Sequence, residues 1–409
     1  INGAAGGTRI DQHRPNPAGH GTAGSLYSIY ANLYNRVVGA KLTHGIRGLF
    51  WHQGEQNQGS GGIDPDYDYK FYQQYFVDIS AAWKQDFPNL RNYYLFQIWP
   101  AACGDTSRND QLREVQRTLP RLYSNMKAMS THGIVPGSSC HYSPAGYQVF
   151  SDRIGPLVEQ DVYGYVPPGP MTAPNLQQAY FTTPAKNEIA LVFDQNVAWS
   201  PGAPTMLFLA NSAGATSGSV STGSATGNTV KLQVAGASSA ATITYLKGLV
   251  SWQQSNLLVG YNGVAALTFA DVAIGTLTPY QSWATNPAQG LTAGVNDGPT
   301  DDPDLDGIEN QLEFVLGGAP IVSSQAPLPT LTKSTGSWVF AYNRSFASRP
   351  PGTTQIVEYG DNLSGWTQLT IPAGNTTNVT ITPQGNTDRV EVTLPVLGAA
   401  GFARLKVTQ

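Results

Sequence analysis

The sequence predicts a multidomain protein: an α/β layer built on a parallel sheet, followed by two β-sandwich modules. Three observations predict it. Residues 1–165 alternate stretches of helical periodicity with short apolar runs. Val166-Pro167-Pro168-Gly169-Pro170 then interrupts that pattern, and β-type segments between Gly, Ser and Asn turns fill most of the remainder. At 409 residues the chain also exceeds what one hydrophobic core usually holds.

The elements follow in order. Over 26–41 the apolar positions Leu26, Ile29, Tyr30, Leu33, Val37 and Val38 keep the i, i+3, i+4, i+7 spacing of an amphipathic helix. Residues 46–51 read as a buried strand, and a glycine-rich polar loop follows. Tyr69, Tyr72, Phe76, Ile79 and Trp83 mark a second helix, and 92–99 (NYYLFQIW) a second strand. A third helix is expected over 111–129, with Leu112, Val115, Leu119 and Leu122 on one side. Ser143-Pro144 is a helix start, a serine cap with proline in the first turn; Pro156 should bend the end of that helix. Strands separated by helices imply a parallel sheet covered on both faces, with ligands at the carboxyl ends of the strands.

Beyond the proline cluster, NEIALVFD, TVKLQVAG, ATITYLKG and AALTFADVAI read as strands of a β-sandwich over 166–278. Residues 279–320 read as a linker with an acidic loop. WVFAYNR, TQIVEYG, VEVTLPV and FARLKV build a second β-sandwich over 321–409. The first residues, INGAAGGTRI, enter without Met and look like the middle of a fold, so further residues are expected upstream.

Composition narrows the partners. Charged residues make up 12% of the chain, against roughly 25% in an average soluble protein. A formal charge of −4 argues against nucleic acid or an anionic membrane. No stretch reaches the ~18–20 apolar residues of a membrane span. A turn-rich, polar-surfaced chain of this kind is expected to be secreted or displayed at the cell surface.

Asp302-Pro303-Asp304-Leu305-Asp306-Gly307, followed by Glu313, matches D-x-D-x-D-G-x5-E position by position. Such spacing curls three carboxylates round a Ca2+ ion, with Ile308 adding its carbonyl and Glu313 closing the far side. A structural calcium clip is therefore expected; a solvated acidic turn is the alternative. Cys103 and Cys140 both sit in loops, and the two thiols can meet if both loops lie at the carboxyl edge of the same sheet. A bridge between them would contribute roughly 3–4 kcal/mol on the chain-entropy estimate and hold the segment carrying His141. Two unpaired buried thiols are the alternative, and no zinc spacing is present.

The third constellation is Trp51-His52-Gln53-Gly54-Glu55 together with Cys140-His141-Tyr142-Ser143-Pro144. Glu55 lies just past a strand and His141 just before a helix, the two places where α/β sheets display side chains to a ligand. A histidine beside a carboxylate makes a general-base pair. Singly, each residue reads equally as a hydrogen-bonding structural group.

AAGGTRI, GLFWHQGEQN, QLREVQRTLP and CHYSPAGYQVFSDRI, in that order over about the first 160 residues, resemble the later blocks of the sialate O-acetylesterase-like branch of the SGNH hydrolases. Acetyl xylan esterases of carbohydrate esterase family six belong to the same branch. The resemblance implies a flavodoxin-like three-layer α/β/α sandwich, here N-terminally incomplete, and removal of acetyl groups from sugars with no catalytic cofactor. It implies His141 as the base that takes a proton from a serine and returns it to the leaving hydroxyl. Glu55 becomes the acid of the QGE block, Gln53 the side-chain oxyanion donor, and Gly6 and Gly7 the backbone donors.

Two departures from the family pattern stand out. Ser138 occupies the place of an Asp three residues before the catalytic His, and the serine-bearing GQSN-like block is absent. The nucleophile is therefore expected upstream, or on a separate N-terminal fragment that stays docked. Residues 302–320 and the VEYGDNLSGWTQL segment resemble C-terminal regions of large secreted enzymes of Verrucomicrobia-type bacteria. Together these readings imply a secreted carbohydrate O-acetylesterase acting on acetylated polysaccharides or glycans. The alternative is a non-catalytic carbohydrate-binding or surface-assembly protein with a vestigial hydrolase domain.

Overall fold

A computed structural model describes residues 1–24, 26–58, 69–104, 108–134, 141–183, 185–248, 254–292, 295–325, 327–350, 352–363, 365–395 and 401–408. The chain divides into two units, Ile1–Gly275 and Thr276–Gln409.

In the first unit, helix α1 (Ser28–Gly39) leads to strand β1 (Gly48–Trp51), then α2 (Tyr69–Asp86), β2 (Asn92–Gln97), α3 (Asn109–Thr118), β3 (Met126–Ser130) and α4 (Pro144–Tyr163). The three strands form a parallel sheet in the order β1-β2-β3, with Trp51 level with Leu95 and Gln97 level with Ser130. Strand β3 corrects the expectation of one helix over 111–129. Pro120 sits in a short 3-10 turn (Leu119–Leu122) that ends the helical run, and Met126–Ser130 then pairs along β2.

Period-two alternation in β2 divides the core. Tyr93 and Leu95 pack with Tyr72, Phe76, Ile79 and Trp83 of α2, Leu112 of α3 and Tyr30 and Val37 of α1. Each fully buried aromatic or aliphatic side chain there contributes about 1.5–3 kcal/mol. Tyr94 and Phe96 face the other way, against Leu157 of α4 and also against Ala173, Val264 and Leu267. Both faces of the sheet are thus covered, as its near-continuous apolar strands require. Ser143 caps α4 by accepting the Gly146 N–H at 3.1 Å, and Pro156 lies inside the helix.

The contacts with Ala173, Val264 and Leu267 belong to the β-rich part of the same unit. Its strands are β4 (Leu176–Phe181), β5 (Glu188–Phe193), β6 (Val197–Ala198), β7 (Leu207–Ala210), β8 (Ser219–Thr226), β9 (Thr229–Ala235), β10 (Thr242–Tyr245), β11 (Val259–Gly260) and β12 (Val272–Thr276). They form a seven-stranded sheet, β7-β10-β12-β4-β5-β9-β8, and a β6–β11 pair, around a core that includes Leu191, Phe193, Val230, Leu232 and Phe269.

The proline cluster at 166–170 therefore marks a change of architecture along the chain, while packing continues across it. Helix α3 is the polar spline. Arg117 Nη1 donates to Asn175 Oδ1 and the Leu176 carbonyl, Arg113 Nη2 to the Leu246 carbonyl, and Glu114 and Asp110 accept the N–H groups of Ala270 and Gly248. Gln97 joins in with its whole amide, donating to the carbonyls of Arg113 and Thr268 and accepting from Thr268 N–H at 2.8 Å.

In the second unit, α5 (Pro279–Ala284) and α6 (Asn310–Leu316) precede β13 (Thr330–Ser334), β14 (Ser337–Ser345), β15 (Thr354–Gly360), β16 (Thr367–Thr370), β17 (Val379–Gln384), β18 (Thr387–Leu394) and β19 (Phe402–Thr408). Antiparallel sheets β13-β14-β18-β17 and β16-β15-β19 share one core, in which Phe340, Tyr342, Val390 and Val392 meet Val357. These two sheets enclose the core of the second unit. The segment 279–320, read from the sequence as a linker, is part of it: Tyr280, Ala284, Phe314, Val315 and Leu316 are buried in that core. Their helices are only six and seven residues long, too short to show a clear period among glycine and aspartate.

Candidate active site

The site grows from the end of β1. After Trp51 the backbone must swing out of the sheet, and it does so at Gly54, whose φ is +152°. A Cβ there would stand 2.8 Å from Gln116 Nε2, so glycine is required both by conformation and by space. The adjoining Gln53 carbonyl is clasped by the Tyr72 hydroxyl and Gln116 Nε2, each at 2.7 Å. Tyr72 in turn accepts the Trp51 indole N–H at 3.0 Å.

The buried Gln53 side chain reaches back to the N-terminal glycine turn. Its Nε2 donates to the Thr8 carbonyl and to Asn57 Oδ1, both at 2.9 Å, and Asn57 Oδ1 also accepts the Ile10 N–H. Gln53 Oε1 is buried without a partner. The turn Gly6-Gly7-Thr8 is thereby fastened at the end of β1, with both glycines exposed. Thr8 Oγ1 gives its proton to the Ala5 carbonyl, so at 2.9 Å from His13 Nε2 it accepts the imidazole proton. That leaves His13 as the Nε2–H tautomer, its ring edge-on to Trp51 at 5.1 Å. Burial holds its pKa down at about 4, against the opposing charge of Asp11.

Glu55 follows in a short 3-10 turn (Glu55–Asn57). Its Oε1 stands 3.7 Å from His52 Nε2. The His52 ring lies among Phe96, Tyr142 and Phe150, with 27% of its side chain open to solvent. Desolvation lowers the His52 pKa, Glu55 opposes that shift, and the charge of nearby His141 adds to it. His141 is exposed, one residue before buried Tyr142, which packs on Trp99 and Tyr147.

The residues singled out in the sequence therefore gather at one end of the sheet. Gln53 holds the glycine turn, and His52 feels the charges of both Glu55 and His141. Among the described residues, Glu55 lies 3.7 Å from His52, three positions earlier in the chain. Ser138 and Cys140 lie outside the described residues. Cys103 is disulfide-bonded, and no described cysteine is free. His13, Thr8, Asn57, Tyr72 and Gln116 were not anticipated. Of these, Asn57, two residues after the QGE block, lay within a motif that the sequence singled out.

A cavity of about 540 Å³ adjoins this cluster. Leu33, Val37, Ile46 and Leu49 give it apolar walls, and His13, His52 and Gln53 contribute its polar points. It lies along β1, an edge strand of the described sheet.

In the second unit, Asp302, Asp304 and Asp306 place carboxylate oxygens within 4.8 Å of one another. Glu313, on α6, feels their charge; burial first, and then Asp304, Asp306 and Asp302, push its pKa up to about 7. The Trp366 ring is covered by the Arg404 guanidinium at 4.7 Å, which makes it a packed rather than an open aromatic face.

No protein-family model matches the sequence, and no curated protein matches it. Among solved structures, the chain is similar to a carbohydrate acetylesterase from Xanthomonas citri, with 18% identity and a TM-score of 0.42. The match covers 54% of this chain and 49% of that one, so the chain spans about half of that protein's length.

Proposed function

We propose that the Ile1–Gly275 unit is the base and oxyanion side of a carbohydrate O-acetylesterase of the SGNH type, acting on acetylated polysaccharides or glycans outside the cell or at its surface. One observation carries the reading: Gln53 bonded to the Gly6-Gly7-Thr8 turn at the end of a parallel strand, with the His52–Glu55 pair and His141 beside it. Such a site needs no catalytic cofactor. Among the described residues no helix is long and apolar enough to cross a membrane.

In this reading His141 takes the proton from a serine hydroxyl as that oxygen attacks the acetyl carbonyl, and returns it to the departing sugar oxygen. Charge developing on the carbonyl oxygen is met by N–H groups of the Gly6-Gly7 turn and by Gln53, which would turn from Thr8 to donate to it. In this reading the nucleophilic serine would sit beside His141 at the end of β1.

The test is hydrolysis of p-nitrophenyl acetate and of acetylated xylan by the full-length encoded protein, beside His141→Ala. The expected result is turnover reduced by about three orders of magnitude or more in the variant. Full activity in that variant would remove His141 from the mechanism.

One observation favours a second reading, a non-catalytic carbohydrate-binding or surface-assembly protein. Gln53 Nε2 is already committed to Thr8 and Asn57. Retention of the full-length protein on acetylated xylan with no ester turnover would support that reading.

A further inference from the structure

We infer that the second unit holds one Ca2+ ion, bound by Asp302, Asp304, Asp306, the Ile308 carbonyl and Glu313, and that this ion ties the acidic loop to the core of the C-terminal β-sandwich. The inference is independent of the esterase reading.

The spacing alone would only make an acidic cluster. What sets this one apart is Glu313. It is 2% exposed, it lies near enough to the three aspartates to feel their charge, and its Oε2 is buried with no hydrogen-bond partner. Asp304 Oδ2 is also buried and unpartnered. Among the described residues none of the four carboxylates has a Lys or Arg partner. Two orphaned carboxylate oxygens beside like charge are a costly arrangement in a folded protein, and a bound cation removes that cost.

The remaining oxygens are already shaped for it. Asp302 accepts the N–H groups of Asp306 and Gly307, Asp304 that of Asp306, and Asp306 those of Ile308 and Ser324. Asp302 and Asp306 accept on both oxygens and Asp304 on Oδ1 alone, and each bonded oxygen keeps a second lone pair free. Gly307, with φ +87°, makes the turn that brings Ile308 back toward the aspartates, and Leu305 points into solvent at 86% exposure. An all-oxygen set of carboxylates and one carbonyl suits a hard cation, and a flexible loop of six or so ligands suits Ca2+ over the smaller, strictly octahedral Mg2+.

The consequence is structural. Glu313 shares α6 with Phe314, Val315 and Leu316, which fill the sandwich core, and the Phe314 carbonyl accepts from Ser345 of β14 at 2.7 Å. Fixing Glu313 on the ion fixes that helix against the sheet, so binding and folding of the unit are coupled.

The experiment uses the whole chain, stripped with EDTA and dialysed, titrated calorimetrically with CaCl2 and separately with MgCl2, with thermal unfolding followed in parallel. The expected result is one Ca2+ per chain, a melting transition that rises on adding Ca2+ and falls back with EDTA, and much weaker binding of Mg2+. Glu313→Gln and Asp302→Asn should each weaken Ca2+ by about tenfold or more, while Leu305→Ala leaves it unchanged. Because Asp302 is only partly buried, its variant keeps the test decisive if Glu313→Gln fails to fold. A wild-type chain with no Ca2+-dependent heat and no shift in melting overturns the inference. Equal affinity for Mg2+, or unchanged affinity in Asp302→Asn, does so as well.

Discussion

Glu55 Oε1 stands 3.7 Å from Nε2 of His52, close enough for its charge to oppose the desolvation of that ring. The distance is beyond a hydrogen bond, so the pair acts by charge. Glu55 favours the protonated His52 ring, while desolvation and the charge of His141 oppose it. Removing the carboxylate leaves only the opposing influences. In Glu55→Gln the His52 titration, followed by NMR of its ring carbon-bound protons, should therefore move further below the ordinary histidine range. Movement upward would show that Glu55 and His52 are not paired in solution.

The proposed oxyanion role of Gln53 and its observed anchoring role separate in the kinetics. Under the proposed function, Gln53→Ala should lower kcat for ester hydrolysis about 10²–10³-fold. As the anchor of Thr8 and Asn57 its loss leaves buried groups unpaired, at about 1–3 kcal/mol of stability in urea titration. A raised KM with unchanged kcat would place Gln53 in substrate binding instead.

His13 predicts an acid limit to stability. Its pKa is about 4 in the folded chain against 6.5 in the unfolded one, because burial disfavours the imidazolium. A neutral His13 therefore stabilises the fold fully above pH 6.5, and that contribution is lost as pH falls from 6.5 toward 4, by about 3 kcal/mol at the limit. In His13→Gln the denaturation midpoint should fall less steeply over that window than in the wild type. Parallel pH profiles for the two proteins would exclude His13 as the titrating group.

Gln97 predicts how the first unit unfolds. Its amide satisfies the Thr268 N–H and carbonyl, the Arg113 carbonyl and His132 Nε2, all from a fully buried position. Gln97→Leu keeps the volume and leaves those groups without partners. The expected loss is about 3 kcal/mol, and urea unfolding of the whole chain should gain a transition as the β-rich part separates from the α/β layer. Unchanged stability would mean that apolar packing alone joins the two parts.

Long amphipathic or capped elements were legible. The apolar stripe of α2, the Ser143-Pro144 start of α4 and the alternating strands β9, β14 and β18 need only local periodicity and one preferred partner face. Strand β3 was not legible, because MKAMS continues the composition of the helix before it and only pairing with β2 makes it a strand. α5 and α6 were hidden for a related reason: a turn or two of helix buries little until a sheet lies beneath it.

The same division runs through the site. Order along the chain was enough to single out the glycine turn, the QGE block, His141 and the acidic loop, because each is a local pattern of residue types with its own backbone or charge requirement. Which of them touch depended on tertiary structure. Glu55 meets His52 because Gly54 turns the chain sharply between them, and Gln53 meets Thr8 because α1 and α2 bring residues 45 positions apart to one strand end. Local chemistry names the candidates, but a hydrogen bond or ion pair exists only at distances that the packed core sets.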